Sequence, residues 1–253
     1  MKVSLVTVVR NAENSISATL ESALSQKGVD LEYIVVDGAS TDGTLSLVQA
    51  ARRAWPDSDF RFISERDDGL YDAMNKGIAM ATGDVVGILN ADDVFETDHS
   101  LADVAGAFDD ETDAVYADVR FVRDGRTVRY YSARRWRPWM HSIGYMPPHP
   151  SVYIRRELFS RLGPYRTDYR ISADFELMVR YFCRERIRTR YLPECVVRMA
   201  PGGISTAGLG ATVRLNRENV RANRENGYRS CMAMMLPKYL FKVGGIIRPE
   251  GGR

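Results

Sequence analysis

The chain has 253 residues, of which 45% are apolar and 27% are charged, as expected of a globular protein with one large core. Its 35 basic residues nearly balance its 33 acidic ones, so the bulk charge gives no sign of a nucleic-acid-binding protein. Three scattered cysteines do not make a disulfide framework and favour a reducing compartment, the cytoplasm.

The first predicted strand covers residues 3–9, an almost continuous apolar, β-branched run. Such a run is typical of a strand buried on both faces of a parallel sheet. It is too short for the apolar core of a signal peptide. No later stretch approaches the roughly 20 apolar residues that span a bilayer, so we do not expect an integral membrane protein.

Helices and strands then alternate through the first hundred residues. The periodicity predicts helices near residues 16–24, 44–53 and 71–78, and strands near residues 31–36, 60–64 and 85–89. This βαβ order predicts a Rossmann-like half with a parallel sheet over residues 1–98.

The pattern changes after residue 114. Short β-type runs flank Asp124-Gly125, a strong hairpin signal that adds an antiparallel element and makes the sheet mixed. An irregular, aromatic-rich passage over residues 136–150 is of the kind that serves function. A helix is predicted over residues 173–182. We assign residues 99–210 to a second half of the same domain.

The C-terminal part, residues 211–253, is predicted to be a helical extension. Residues 211–226 have a helical pattern, and residues 232–247 form an apolar tail that carries Lys238 and Lys242. Such a tail suits a segment that rests on anionic lipid. A tail packed on its own domain explains the same pattern equally well, so both alternatives stay open.

Acidic residues follow the second strand. Asp37 stands at the strand end, where open α/β sheets bind ligands, so we expect it to contact a ribose or a base. Thr41 and Asp42 are better explained as turn and helix-cap residues. Residues 10–14 occupy the place of a Gly-rich dinucleotide turn, and the chain has no P-loop sequence, which disfavours nicotinamide, flavin and P-loop ATPase enzymes.

Two adjacent carboxylates, Asp92 and Asp93, follow the fourth predicted strand. Their mutual repulsion is relieved by a divalent cation, and hard oxygen ligands suit Mg²⁺ or Mn²⁺. A helix cap is the alternative role. A third acidic passage, residues 66–72, lies one strand earlier, so we expect acids from three strand ends to gather at one edge.

Three segments in this order resemble the family-2 inverting glycosyltransferases of the GT-A fold. They are VVDGASTDGT at residues 35–44, DDGLYDAMNKG at residues 67–77 and LNADD at residues 89–93. The resemblance is strongest over residues 2–94 and continues more weakly to about residue 205.

The resemblance implies roles for residues of the donor half. Thr7 and Asp37 would contact the nucleotide base, and Asp67 would shape the donor pocket. Asn75, within the second segment, would also contact substrate.

The family's Asp-x-Asp motif would correspond to residues 90–93, in which Asn90 replaces the first acid. That replacement leaves the principal metal ligand open between Asp92 and Asp93. We expect Asp93 to be the principal ligand, with Asp92 nearer the ribose and diphosphate.

The resemblance also places a base in the acceptor half. Asp174 is the expected general base, with a role as an acid near a helix N-terminus as its alternative, and Glu176 would share either role. His149 stands where relatives carry a histidine, although a lone histidine is often structural. Gly203 belongs to a segment that resembles a loop closing over the active site, or forms a plain turn.

The implied function is transfer of a sugar from a UDP-, GDP- or dTDP-linked donor to a saccharide or lipid-linked acceptor, aided by Mn²⁺ or Mg²⁺. The setting would be surface polysaccharide or glycolipid assembly, at the inner face of the plasma membrane if the tail binds lipid. A nucleotidyltransferase that makes the sugar nucleotide, or a non-catalytic binding protein, are the alternatives. The former would need a Gly-rich, basic loop after the first strand, which this sequence lacks.

Overall fold

Nine strands and seven α-helices form the part of the chain that the computed structural model describes, residues 1–202 and 208–239. The strands are β1 (Lys2–Val9), β2 (Asp30–Asp37), β3 (Asp59–Ser64), β4 (Val85–Ile88), β5 (Val94–Phe95), β6 (Ala114–Arg123), β7 (Arg126–Tyr131), β8 (Tyr153–Arg155) and β9 (Thr189–Met199). The helices are α1 (Ile16–Leu24), α2 (Thr44–Ala54), α3 (Leu70–Met80), α4 (Ser100–Gly106), α5 (Glu157–Leu162), α6 (Ala173–Met178) and α7 (Leu209–Glu225). α6 continues as a π-helix over Val179–Arg184, and short 3₁₀ turns lie at Pro138–Ile143, His149–Ser151 and Met232–Met235.

The described strands form one mixed sheet in the order β3-β2-β1-β4-β8-β6-β9-β5, with β7 paired to β6. β1 to β4 are parallel, whereas β8 runs antiparallel to both β4 and β6. The predicted α/β class, with a Rossmann-like start and a mixed sheet, is confirmed. The predicted halves 1–98 and 99–210 share this sheet, and their boundaries stay a prediction.

Helices cover both faces of the parallel part, which is why β1 and β2 are almost wholly apolar. On one face, Leu5 and Val9 of β1 pack with α1, α2 and α4. On the other, Val6 and Val8 pack with α3 and α6. The alternation of these side chains follows the two-residue period of a strand.

Gly87 of β4 lies directly under an aromatic ring. It pairs with Tyr153 of β8, which is fully buried, and a Cβ on Gly87 would collide with the Tyr153 ring. We expect Gly87→Ala to lower the free energy of unfolding by about 1–3 kcal/mol, because overpacking displaces the ring. A lower urea midpoint at unchanged m-value measures this. Gly106→Ala, where the new methyl group meets open space, is the control, and an equal midpoint in the two variants would contradict the prediction.

The C-terminal helix α7 packs against the rest of the domain. Asn223 donates to the carbonyl oxygen of His141, and Asn226 donates to Glu176. Met235 in the following turn is fully buried. In the described part of the predicted apolar tail, Met235 and Lys238 are buried, whereas Met232 and Leu236 are exposed, and residues 240–253 lie outside the described residues.

Among the helices of the described residues, none combines the length and the apolar character needed to cross a bilayer. Contact of the tail with lipid stays a prediction.

Candidate active site

Polar residues meet at the carboxyl edge of the parallel strands. Asp37 ends β2 beside Ser64, its register partner at the end of β3. On the other side of β2, Asp37 pairs with Val9 at the end of β1, and Asn90 follows β4, which pairs with β1. Because the ends of parallel strands share one edge, these segments lie at the edge where the sequence predicts a ligand crevice.

Asp37 is held firmly from within the protein. Its carboxylate accepts hydrogen bonds from the Ser64 hydroxyl at 2.6 Å, the Ser40 hydroxyl at 2.5 Å and the Ser40 N–H at 3.2 Å. The side chain is fully buried, so the protein fixes its orientation before any ligand arrives. Its predicted contact with the nucleotide stays a prediction.

Asp67 joins the loops that follow β2 and β3. One carboxylate oxygen accepts the Gly69 N–H at 3.0 Å. The other lies against Gly38, where a Cβ would collide with it. The absence of a side chain at Gly38 leaves room for this oxygen, so the loops after β2 and β3 meet there. The predicted role of Asp67 in a donor pocket stays a prediction.

The two carboxylates in the loop after β4, those of Asp92 and Asp93, differ in solvent exposure. Asp93 is only 2% exposed, and its carboxylate accepts a hydrogen bond from Asn90 at 2.9 Å. Burial raises the pKa of Asp93 to about 7, and the neighbouring charge of Asp92 adds to the rise. Asp92 itself is exposed. Asn90, which replaces an acid of the usual motif, thus serves as a donor to Asp93.

Within the described residues, no group of three or more His, Cys, Asp and Glu side chains is arranged to hold a metal ion. The acids that we expected from three strand ends therefore do not form a joint metal site among the described residues. Mg²⁺-type sites commonly use one or two carboxylates and take the remaining ligands from substrate phosphates and water. Asp92, with its exposed carboxylate, fits a site of that kind.

Asp174, in the first turn of α6, is half-buried. Its Oδ1 accepts the Phe175 N–H at 2.8 Å and the Tyr71 hydroxyl at 3.4 Å. The same hydroxyl donates to the carbonyl oxygen of Ile171 at 2.6 Å. Tyr71 is the second residue of α3 and lies four residues after Asp67, so this contact brings Asp174 to the edge that carries the acidic loops.

Burial raises the pKa of Asp174 to about 6, against the hydrogen bonds from Phe175 and Tyr71, which lower it. A carboxyl group with this pKa is mostly ionised at pH 7 and has a raised proton affinity. These are the properties of a general base that works near neutral pH.

His149 and Asn75 both support Tyr165. A hydrogen bond of 2.8 Å joins His149 Nε2 to the Tyr165 hydroxyl, and Asn75 bonds both the N–H and the carbonyl oxygen of Tyr165. Tyr165 in turn stacks on Tyr71. Burial lowers the pKa of His149 to about 4, so it is neutral at pH 7. The polar groups described here serve protein partners, and a direct substrate contact stays a prediction for both residues.

Two predicted substrate residues lie in the interior. Thr7 is fully buried and accepts a hydrogen bond from Tyr33 at 3.0 Å, on the β1 face that packs against α1. Glu176 is 2% exposed and pairs with Arg180 at 2.9 Å. The polar groups of both side chains have protein partners, as those of Asp37 do, and a substrate contact stays a prediction for them. Gly203 lies outside the described residues.

Sequence reasoning missed the role of one hydroxyl. Tyr71 is placed by the helical pattern on a buried face, and it is buried, but its hydroxyl contacts Asp174. The available signal was its identity, because a tyrosine rather than a phenylalanine on a buried helical face needs a hydrogen-bond partner.

Comparison with solved structures gives the fold first. Mannosyltransferase PcManGT from Pyrobaculum calidifontis, in complex with GDP-Man and Mn2+, superposes with a TM-score of 0.66 at 20% identity, over 99% of this chain and 76% of that one. S. aureus TarS 1-349 in complex with UDP-GlcNAc gives 0.65 at 18% identity, over 99% and 75%. This chain spans 44% of a longer TarS chain. The fold is the GT-A glycosyltransferase fold.

Sequence comparison then gives the family. The family model described as Glycosyl transferase family 2 matches residues 4–170. A PGL/p-HBAD biosynthesis glycosyltransferase of Mycobacterium bovis is 33% identical over 193 residues, 75% of this chain and 73% of its own length. The chain therefore belongs to glycosyl transferase family 2, and the resemblance stated from its motifs is confirmed.

Proposed function

We propose that this glycosyltransferase passes a sugar from a nucleotide diphosphate donor to an acceptor hydroxyl, with inversion at the anomeric carbon and Asp174 as the base. One observation carries the proposal. Asp174 has a raised pKa and is joined through Tyr71 to the strand edge that carries Asp37, Asp67 and Asp92.

The donor binds, in this proposal, at the ends of β1 to β4. Asp37, held by Ser40 and Ser64, and Asp67, held by the Gly69 N–H, would contact the nucleoside. Asp92 would be the principal ligand of Mn²⁺ or Mg²⁺, with support from Asp93. This reverses the two roles expected from the sequence, because Asp92 is the exposed carboxylate of the two. When bound, the cation neutralises negative charge on the diphosphate.

The acceptor hydroxyl binds beside α6. Asp174 takes its proton as the oxygen attacks the anomeric carbon from the face opposite the diphosphate, and the bond from that carbon to the diphosphate oxygen breaks. Such a positioned base contributes about 10²–10⁴-fold to the rate. Phe175 N–H and Tyr71 aim Oδ1 of Asp174, so the base is oriented before the acceptor arrives.

Solved structures of similar fold support a nucleotide-sugar donor. PcManGT is described with GDP-Man and Mn2+, TarS with UDP-GlcNAc, and the mycobacterial relative with PGL/p-HBAD biosynthesis. We propose a UDP-, GDP- or dTDP-linked donor and a saccharide or lipid-linked acceptor. Residues 1–98 would bind the donor, residues 99–210 the acceptor, and residues 211–253 would add a helical extension with contact to the inner face of the membrane.

The test is a screen of UDP-, GDP- and dTDP-sugars against the full chain, with and without Mn²⁺. We expect one nucleotide class to raise the melting temperature, since a ligand that binds only the native state stabilises it, and to be hydrolysed slowly when no acceptor is present. EDTA should remove both effects. Binding without hydrolysis or transfer would favour a non-catalytic binding protein, and pyrophosphate release from a nucleoside triphosphate would favour a nucleotidyltransferase.

A further inference from the structure

A carboxylate on α7 clamps the backbone just before the proposed base. Glu218 accepts the N–H of Ile171 at 2.8 Å and of Ser172 at 2.9 Å through Oε2, and the N–H of Arg170 at 3.2 Å through Oε1. Three consecutive peptide groups thus point at one side chain. Ser172 is the cap residue of α6, and Asp174 follows two residues later.

The same helix also holds the start of this loop. Arg221 bonds the carboxylate and the carbonyl oxygen of Asp168, and Glu225 accepts the Tyr169 hydroxyl at 2.7 Å. Arg166 bridges Asp168 and Glu225. Residues 166–172 are therefore tied to α7 along their length, with the contacts of Glu218 nearest the base.

We propose that Glu218 is a positioning residue for sugar transfer, which fixes the entry to α6 and thereby aims Asp174 at the acceptor hydroxyl. The inference rests on the proposed function, in which Asp174 is the base. A helix end leaves N–H groups without intrahelical partners. Glu218 accepts the N–H of the cap residue Ser172 and of the two residues before it, from a helix 46 residues away in the chain.

The charge of Glu218 also acts on the base. Besides burial, which is the largest cause, Glu218 raises the pKa of Asp174, whereas the hydrogen bonds from Phe175 and Tyr71 lower it. The titratable groups that interact with Asp174 are Tyr71 on α3, Tyr165 on the preceding loop and Glu218 on α7. Removing the negative charge at position 218 should therefore lower the pKa of the base.

The experiment uses the full chain with Glu218→Ala, Glu218→Gln and the control Glu21→Gln, a change of the same kind at an exposed residue of α1. We expect Glu218→Ala to lower kcat by about 10²-fold, as a misplaced reacting group does, with the donor KM unchanged. Amide hydrogen exchange in a peptide covering residues 170–175 should become faster. Glu218→Gln should shift the acidic limb of the kcat/KM profile to lower pH, and Glu21→Gln should leave kcat and that limb in place.

Each outcome decides one question. If Glu218→Ala makes amide exchange faster but leaves kcat unchanged, Glu218 does not position the base. If exchange is also unchanged, Glu218 does not hold the backbone of residues 170–172. If Glu218→Ala does not fold, Glu218→Gln carries the test, and an unshifted acidic limb overturns the inference. Asp174→Asn is measured in parallel. An active Asp174→Asn enzyme removes the proposed base, whereas an active Glu218→Ala enzyme beside an inactive Asp174→Asn enzyme removes only the role of Glu218.

Discussion

Asp174→Asn is expected to lower kcat by about 10²–10⁴-fold without changing the Kd of the donor. The amide keeps the size of the carboxyl group and can still accept the hydrogen bonds from Phe175 and Tyr71, but it cannot take a proton. The loss should therefore appear in the chemical step. Product formation under saturating substrates and donor titration by calorimetry measure the two quantities separately.

The pH profile of the wild-type enzyme provides a second measurement of the same residue. The pKa of Asp174 is about 6, so kcat/KM should fall as the pH drops through that value and the base becomes protonated. Glu176→Gln is the matched control. Glu176 lies two residues later but pairs with Arg180 in the interior, so this change should lower stability and leave the acidic limb in place. Undiminished turnover by Asp174→Asn would refute the assignment of the base.

Asp92→Asn and Asp93→Asn are expected to separate the roles of the two adjacent acids. Asp92 is exposed, whereas Asp93 is 2% exposed and bonded to Asn90. Replacing a supporting residue of a metal site typically weakens metal binding by about 10–100-fold, which is the range expected for Asp93→Asn. Asp92→Asn should weaken Mn²⁺-dependent donor binding by more than that.

Titration of Mn²⁺ in the presence of donor, followed by thermal shift, measures both variants. The melting temperature without ligand is the control, and it should not change in Asp92→Asn because the side chain is exposed. If Asp93→Asn reduces the Mn²⁺-dependent thermal shift more than Asp92→Asn does, Asp93 is the principal metal ligand, as expected from the sequence.

The position of the crevice could be predicted from local sequence because it depends on local patterns. Apolar runs define β1 to β4, helical spacing separates them, and parallel connection then places every strand end at one edge. Asp37 ends β2, and Asp67 and Asp92 lie in the loops that follow β3 and β4. Their placement needs no knowledge of side-chain packing, which is why the motif order gave both the family and the fold.

The hydrogen-bond partners of the buried side chains could not be predicted from local sequence patterns. Whether Thr7 faces a ligand or Tyr33 depends on which helices cover that face of β1, and this is decided by tertiary packing. Asp174 and Glu176 are two positions apart on one helix and so point in very different directions. Arg180, four residues after Glu176, was a usable signal that Glu176 has a structural partner. No local pattern could indicate Glu218, whose partners are 46 residues away or more.

The order of the sheet has a consequence for synthesis on the ribosome. β4 ends at Ile88, but its outer neighbour β8 begins at Tyr153, and β5 pairs with residues of β9 near Arg198. Translation proceeds at about 5–20 residues per second, so one edge of β4 stays unpaired for several seconds until β8 has been synthesised. An unpaired strand edge is a template for intermolecular pairing. A chain stalled after residue 98 is therefore expected to aggregate, and the donor half alone is a poor candidate for expression as a separate fragment.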